Sequence, residues 1–403
     1  MGDGSKVTQL CWMVAGGFGV LALARAAEVD RLRRSEAFAV PLVALTPQVA
    51  LAAPWAALGL RLARRPRAAL AASAAAAALS LTVRSRRRPR PQPDASGPVL
   101  RVLTMNAYFG QADAEVLVDR VRQLRADVLF LQELTEGAVL RLKLAGLDDL
   151  MPYSHHELRG GSRGSGIYSR FPLSEGPLMP PTQMAQPTAL LELPGAEPVE
   201  LVCVHPVAPG LPQWGGPVRW REELALLPAP RDRPRVLAGD FNASLDHATF
   251  RDVLRLGYHD AAQEAGDALT PTWGLPGRRS GLFTLDHVLV DQTCAVRSYS
   301  VHPVPLSDHR AVFAEIQLPA PLWLSGWVPA SGIRNGNYLR SRAPHPHHVS
   351  LFRGFLSTQR HYVHSVMACL QYPMRDHWTW SASTRRSPWN SSRAPPASSF
   401  PAG

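Results

Sequence analysis

The stretch RVLAGDFNASLD, Arg235–Asp246, runs from an apolar segment through a glycine into a carboxylate and, two residues on, an amide. Val236, Leu237 and Ala238 read as a buried strand and Gly239 permits a sharp exit, so Asp240 stands where the strand gives way to a loop. Alone, such a Gly-Asp pair marks a turn as readily as a site. Its weight comes from recurrence: Asn106, Glu133, His205, Asp286 and His309 also sit at, just beyond or beside the end of an apolar run. The runs are VLRVLTMN (99–106), ADVLFLQEL (126–134), GIYSRF (166–171), VELVCVH (199–205), RVLAGDF (235–241), FTLDHVLV (283–290) and AVFAEIQL (311–318). Between the first two, AEVLVDRVRQLR (114–125) puts Leu117, Val121 and Leu124 on one face of a helix. This mixture predicts an α/β domain over residues 98–319, with polar groups gathered where its sheets open to solvent.

Charge divides the chain in the same way. The formal net charge is +11, yet residues 1–97 hold 14 Lys or Arg against 5 Asp or Glu and residues 320–403 hold 9 against 1. Residues 98–319 are therefore net negative by 6, which disfavours non-specific binding of nucleic acid by the domain. Cys11, Cys203, Cys294 and Cys369 lack metal-ligand or redox spacing and suggest no disulfide framework.

Three uncharged stretches precede the domain: Val7 to Ala24, Ala37 to Leu60 and the Ala-rich Ala68 to Val83. A bilayer core takes roughly 20 apolar residues, so the second is the strongest candidate span, with two to three transmembrane helices in all. A soluble Ala-rich bundle is the alternative. With three spans and the N-terminus inside, Lys6, Arg61, Arg64, Arg65 and Arg67 share the inner side. Arg25, Arg31, Arg33, Arg34, Arg84, Arg86, Arg87, Arg88 and Arg90 fall outside with the domain, and that count alone favours a cytoplasmic domain. RSRRRPRPQPDASGP (84–98) reads as a stiff linker, beyond which the domain is expected to stand without residues 1–97. Residues 320–403 show no periodic apolar face and read as a disordered basic tail; its HPHH (345–348) lacks a spaced partner for metal binding.

Taken in order, MN (105–106), QE (132–133), VH (204–205), GDFN (239–242), LDHVLV (285–290) and SDH (307–309) resemble the endonuclease/exonuclease/phosphatase superfamily across about residues 99–318. The resemblance implies a four-layer α/β sandwich, two mixed sheets flanked by helices, here preceded by transmembrane helices. It also implies phosphoester hydrolysis assisted by Mg²⁺, with Mn²⁺ as the alternative. By the same resemblance Glu133 supplies the cation's main carboxylate, with Asn106 beside it and Asp308 on the metal side. Asp240 orients or deprotonates the attacking water, and Asn242 holds the phosphate and that carboxylate. His205 and His309 contact phosphoryl oxygens as imidazolium groups, and Asp286 sets the protonation and orientation of His309. Trp273 frames the substrate pocket, whereas His287, adjacent to Asp286 on a strand, points the other way and is structural. Tyr168 and Arg170 border the site or pack beneath it. The HP at 205–206 departs from the more frequent family sequence.

Spans ahead of such a domain resemble the membrane-anchored actinomycete members, including teicoplanin-resistance-type proteins. That implies a membrane phosphohydrolase, its domain outside the cytoplasm, acting on a lipid-linked phosphate or pyrophosphate at the bilayer. A surface nuclease or phosphodiesterase is the alternative, which a basic groove beside the site would favour. A non-catalytic membrane scaffold with lipid-binding ends is a third reading, against which stand Glu133 and Asp240 together.

Overall fold

The computed structural model describes residues 3–32, 36–274 and 281–321; the expected tail and its HPHH lie outside the described residues. Fourteen strands are described: β1 Val99–Asn106, β2 Val128–Gln132, β3 Tyr153–Glu157, β4 Ser165–Ser169, β5 Leu173–Glu175, β6 Thr188–Leu191, β7 Val199–Val204, β8 Arg235–Asp240, β9 Tyr258–Asp260, β10 Trp273–Gly274, β11 Gly281–Phe283, β12 Asp286–Asp291, β13 Ala295–Pro303 and β14 Arg310–Gln317. They form two six-stranded sheets, ordered β13-β14-β1-β2-β4-β3 and β5-β6-β7-β8-β12-β9, with β10 and β11 as a separate ribbon. Each sheet is mixed. One parallel pair, β1 with β2 or β7 with β8, lies among antiparallel neighbours.

The inner faces meet in a core that includes Leu100, Val102, Phe130, Ile167, Val236, Val288 and Ile316. Helices α5 Ala114–Leu124 and α6 Glu136–Leu144 and the short α7 Leu147–Leu150 cover the outer face of the first sheet. Helices α8 Gly216–Ala225 and α9 Ala248–Arg255 cover the second. The domain is thus the expected four-layer sandwich, two mixed sheets flanked by helices. In α5 the Asp113 carboxylate accepts the N–H of Val116, and Leu117 and Val121 are buried on the predicted face. One run divides: FTLDHVLV contributes the end of β11 and then, after a break at Thr284 and Leu285, β12. Gly239 does not end its strand. A Cβ there would lie 2.0 Å from the carbonyl oxygen of Val204 on β7, so glycine allows the close approach and β8 continues to Asp240.

Four helices precede the sandwich: α1 Asp3–Ala26, α2 Glu36–Ala44, α3 Thr46–Leu62 and α4 Pro66–Arg84. Two helical segments, Ser5–Ala26 and Pro66–Arg87, are long and apolar enough to cross a membrane. The stretch from Ala37 to Leu60 breaks into α2 and α3 with a bend of 67°; the two pass the same test only together, so the described residues hold two such segments, or three if the bent pair is one. Proline is the cause of the bend. Pro47, without an N–H and with its ring against the preceding turn, cannot bond the Val43 carbonyl, and the Thr46 hydroxyl takes that carbonyl instead at 2.6 Å. Arg65 donates to Thr8 at 2.9 Å near the starts of α4 and α1. Arg25 near the end of α1 and Arg86 just past α4 both bond Asp246, so the two helices run side by side in one direction and end on the sandwich.

Candidate active site

Strand register assembles the site. Asn106 ends β1, Asp240 ends β8 and Asp286 opens β12, and the antiparallel ladder sets Asp240 directly opposite Asp286. Glu133 follows β2 with φ of 54°, a left-handed conformation that costs a glutamate about 1–3 kcal/mol and is held by its surroundings. The Phe109 N–H donates to Glu133 Oε2 at 2.7 Å. The Asn106 amide nitrogen donates to Glu133 Oε1 at 3.2 Å and to Asp240 Oδ2 at 3.1 Å, while its Oδ1 accepts the Tyr108 N–H at 2.9 Å. Asn106 thus bridges the two carboxylates through its amide nitrogen, and its oxygen, with one N–H accepted, keeps a second lone pair.

His309 is the positive centre. Its Nδ1 lies 3.0 and 2.9 Å from the two Asp286 oxygens, and its Nε2 lies 3.7 Å from Asp240 Oδ2 and 4.0 Å from Asp308 Oδ1. Burial opposes its charge, but Asp286 and then Asp240 prevail and raise it to about 10, so it is an imidazolium at neutral pH. Burial raises Asp240 to about 6, against the pull of His309. Burial likewise raises Glu133 to about 7, although the Phe109 N–H favours its ionised form. The backbone N–H of Asn242 holds Asp240 Oδ1 at 2.8 Å, and the Asn242 amide donates to the Pro206 carbonyl at 3.1 Å.

His205 is brought close to the same end of the sandwich. Burial, and then the charge of His309, push it down to about 3, which favours the neutral ring. Asp308 accepts the Trp273 indole N–H at 3.0 Å, and the Trp273 ring lies 6.5 Å from that of His309. Trp273 therefore borders the site. His287 points to the helix side, with Nε2 2.9 Å from the Ala243 carbonyl and its ring against Phe241 and Phe250. Tyr168 is buried against His156, and Arg170 pairs with Asp127, so both belong to the packing.

Two positioning residues escape the sequence reading. The Ser307 hydroxyl donates to the Asn106 carbonyl at 2.9 Å and accepts the His309 N–H at 3.1 Å, tying two sheet ends together. Thr272 accepts the N–H groups of Leu285 and Asp286, each at 3.0 Å. Ser307 opens the SDH motif and Thr272 directly precedes Trp273, so proximity to a site residue was the only signal.

The donor chemistry suits a hard cation. Asp240, Asp286 and His309 each bring a potential ligand atom within 4.8 Å of the others. Asp286, however, already gives both oxygens to His309. Glu133 and Asp308 are freer: Asp308 Oδ1 is buried with no hydrogen-bond partner, and Glu133 has no ion-pair partner, among the described residues. Carboxylate oxygens short of neutralising partners are what a divalent oxygen-seeking ion requires.

Carboxylates, a bridging amide and a charged imidazole at the open end of a two-sheet sandwich define a site able to activate water against an anionic centre. The model of the Endonuclease/Exonuclease/phosphatase family matches residues 103–309, just over half of the chain, and the chain belongs to that family. Its fold is accordingly that of phosphoesterases and nucleases. Among solved structures the chain is similar to an endonuclease/exonuclease/phosphatase from Beutenbergia cavernae, at 21% identity over 56% of this chain and 73% of that one, with a TM-score of 0.46. It is also similar to D. rerio TDP2 complexed with single-strand DNA product, at 18% identity over 54% and 98% and a TM-score of 0.44. An AP endonuclease from Archaeoglobus fulgidus is similar at 14% identity over 53% and 98%, with a TM-score of 0.43. No curated protein matches the chain.

Proposed function

We propose that the chain is a membrane-anchored, Mg²⁺-dependent phosphohydrolase that cleaves a lipid-linked phosphate or pyrophosphate. Residues 1–97 form the anchor and residues 98–319 carry the chemistry. The observation that carries this reading is a charged His309, held by Asp286, 3.7 Å from a carboxylate of raised pKa, in a domain that follows two helices long and apolar enough to span a bilayer.

Glu133 and Asp308 would hold the cation, which neutralises phosphoryl charge when bound. Asp240, with a pKa of about 6, is ionised at neutral pH and accepts a proton from the attacking water. The Asn242 N–H fixes the carboxylate's orientation through Oδ1. His309 donates from Nε2 to a phosphoryl oxygen, where an imidazolium stabilises developing negative charge, and Asp286 keeps it protonated and aimed. The Asn106 amide spaces Glu133 from Asp240 so that the cation ligand and the base remain separate groups.

The test is phosphate release by the full-length protein in detergent from long-chain alkyl phosphates and pyrophosphates, nucleotides and single-stranded DNA. Turnover of the amphiphiles that EDTA abolishes and Mg²⁺ restores is expected. Undiminished turnover in EDTA overturns the cation's part, and cleavage of DNA alone overturns the substrate class in favour of a nuclease.

A further inference from the structure

A cavity of about 630 Å³ lies where the anchor helices meet the sandwich. Its wall is largely apolar, with Leu51 from α3, Val83 from α4, and Leu269 and Leu282 from the domain. Arg84, Arg87 and Arg88 line one edge, and none of the three pairs with a carboxylate among the described residues. Gln48 reaches across from α3 to donate to the Leu282 carbonyl, and its own Oε1 is buried without a partner among the described residues. The volume falls within the range of cavities that take a substantial ligand, and an apolar wall with a few polar groups is their usual lining. Guanidinium groups along an edge add a preference for phosphate.

Position narrows the class of ligand. Arg84 and Arg87 close Pro66–Arg87, one of the two helical segments apolar enough to span a membrane, and Arg88 follows it, so the cavity lies where such a span would leave the bilayer. It also shares a wall with the active site. Pro271, Phe283 and Thr284 line the cavity, while the intervening ribbon serves the site: Thr272 holds the N–H of Asp286 and Trp273 holds Asp308. Phe283 stacks on Trp273 with ring centroids 5.9 Å apart. A water-soluble phosphoester would have no use for such a cavity. An amphiphile with its phosphate at His309 would have its chain on this side.

We propose that this cavity seats the hydrocarbon chain of the substrate, a phosphorylated amphiphile drawn from the bilayer whose phosphate is hydrolysed at His309, with Arg84, Arg87 and Arg88 at the edge where the anionic head first arrives. The inference rests on the phosphohydrolase reading above and adds the place where the chain is recognised. Selectivity for chain length then resides in α3, the end of α4 and the β11 segment, apart from the groups that perform hydrolysis.

The experiment compares full-length wild type with Ser80→Trp and Leu282→Trp, each of which fills the cavity from a different side. Turnover of butyl phosphate and of hexadecyl phosphate is measured in detergent, together with photocrosslinking to a diazirine-bearing hexadecyl phosphate mapped by mass spectrometry. Both variants are expected to keep butyl phosphate turnover within twofold of wild type and to lose at least tenfold in kcat/KM on hexadecyl phosphate, chiefly through KM. Crosslinks are expected on peptides containing Leu51, Leu269 or Leu282, and to fade in the variants. Equal losses on both substrates, no loss on either, or crosslinks elsewhere overturn the proposal. Suppression of crosslinking by phosphatidylglycerol as strong as that by unlabelled hexadecyl phosphate also overturns it, since the cavity would then take bilayer lipid at large. Crosslinks in the cavity without turnover of either substrate overturn the hydrolase reading while an amphiphile site remains.

Discussion

Asp240, the last residue of β8, and Asp246, in the loop that follows, are buried carboxylates six residues apart, and they are held in opposite ways. Asp246 meets Arg86 at 2.8 Å and Arg25 at 2.9 Å; burial alone would raise its pKa, but the two guanidinium groups overcome it and hold the carboxyl low. Asp240 meets no arginine among the described residues. It shares the one charge of His309 with Asp286 and Asp308, and burial leaves it at about 6. The first arrangement fixes a charge and the second leaves a proton exchangeable near neutrality. Perturbation of that second kind marks a site, whereas a fully paired carboxylate marks a joint.

The joint has further members. Asp30, just after α1, accepts the N–H of Ala248 at 2.6 Å, and His247 bonds the Val40 carbonyl of α2 at 3.0 Å. Residues 240–248 thus run from the carboxylate beside His309 straight into contacts with the N-terminal helical segments. Removing residues 1–97 would strand Asp246, the Ala248 N–H and His247 in one stroke, so the free-standing domain expected from sequence is not what this packing supports. The largest effect anticipated is therefore loss of folded, monodisperse protein on that deletion, read by size exclusion and by thermal melting. A 98–319 fragment that melts as a single cooperative unit near the wild-type temperature would break the contrast between site and joint.

Next come the two single substitutions. Asp240→Asn is expected to lower kcat by about 10²–10⁴-fold, the usual worth of a positioned general base, with the melting transition retained. Asp246→Asn should do the reverse. Leaving Arg86 and Arg25 without their charge partner costs about 3–5 kcal/mol of stability, while turnover of the molecules still folded at low temperature changes little. Chemical denaturation and steady-state assays of the same two proteins separate the outcomes, and like behaviour of the pair would merge what the geometry divides.

The sequence showed the site more fully than the joint, and the reason is distance along the chain. Asn106, Glu133, Asp240, Asp286 and His309 each adjoin a continuous apolar run, so local pattern alone marks the strand ends they occupy. Arg25 and Arg86 lie 221 and 160 residues from Asp246, inside segments whose composition reads as membrane anchor and linker, and nothing local joins them. Strands β3 and β13 escaped for a different reason: Tyr153–Glu157 is mostly exposed and Ala295–Pro303 only half-buried beyond its first two residues, so neither carries a clean apolar alternation. The downward shift of His205 was also out of reach, because it follows from burial and from a neighbour 104 residues away.

A smaller effect follows from titration. Glu133 and Asp240 have raised folded values of about 7 and 6, so the stability each contributes is full below its unfolded value and is lost as pH rises through the folded one. A divalent cation favours the ionised carboxylates and offsets that loss. The rise in melting temperature caused by Mg²⁺ should therefore be larger at pH 8 than at pH 5.5. Turnover should show an acid limb between about 6 and 7 and an alkaline limb near 10, where His309 loses its proton. In Asp246→Asn these limbs should stay in place, since its carboxyl is already charged throughout that range.

The smallest expected effect sets the scale for the joint. Arg255 pairs with Asp252 at 2.6 Å and with Glu28 at 3.3 Å, and so it too connects the sandwich to the N-terminal helical segment. Its side chain is 57% exposed and that of Asp252 45%, so water already solvates both charges and salt screens their attraction. Arg255→Ala should cost no more than about 1 kcal/mol, and less at high ionic strength. The Asp246 cluster, with its carboxylate fully buried, should respond little to salt over the same range. Denaturation of Arg255→Ala and Asp246→Asn in low and high salt gives the comparison directly. If Arg255→Ala proves as damaging as Asp246→Asn, surface charge rather than the buried cluster holds the N-terminal helices to the domain, and the joint lies at the rim of the interface.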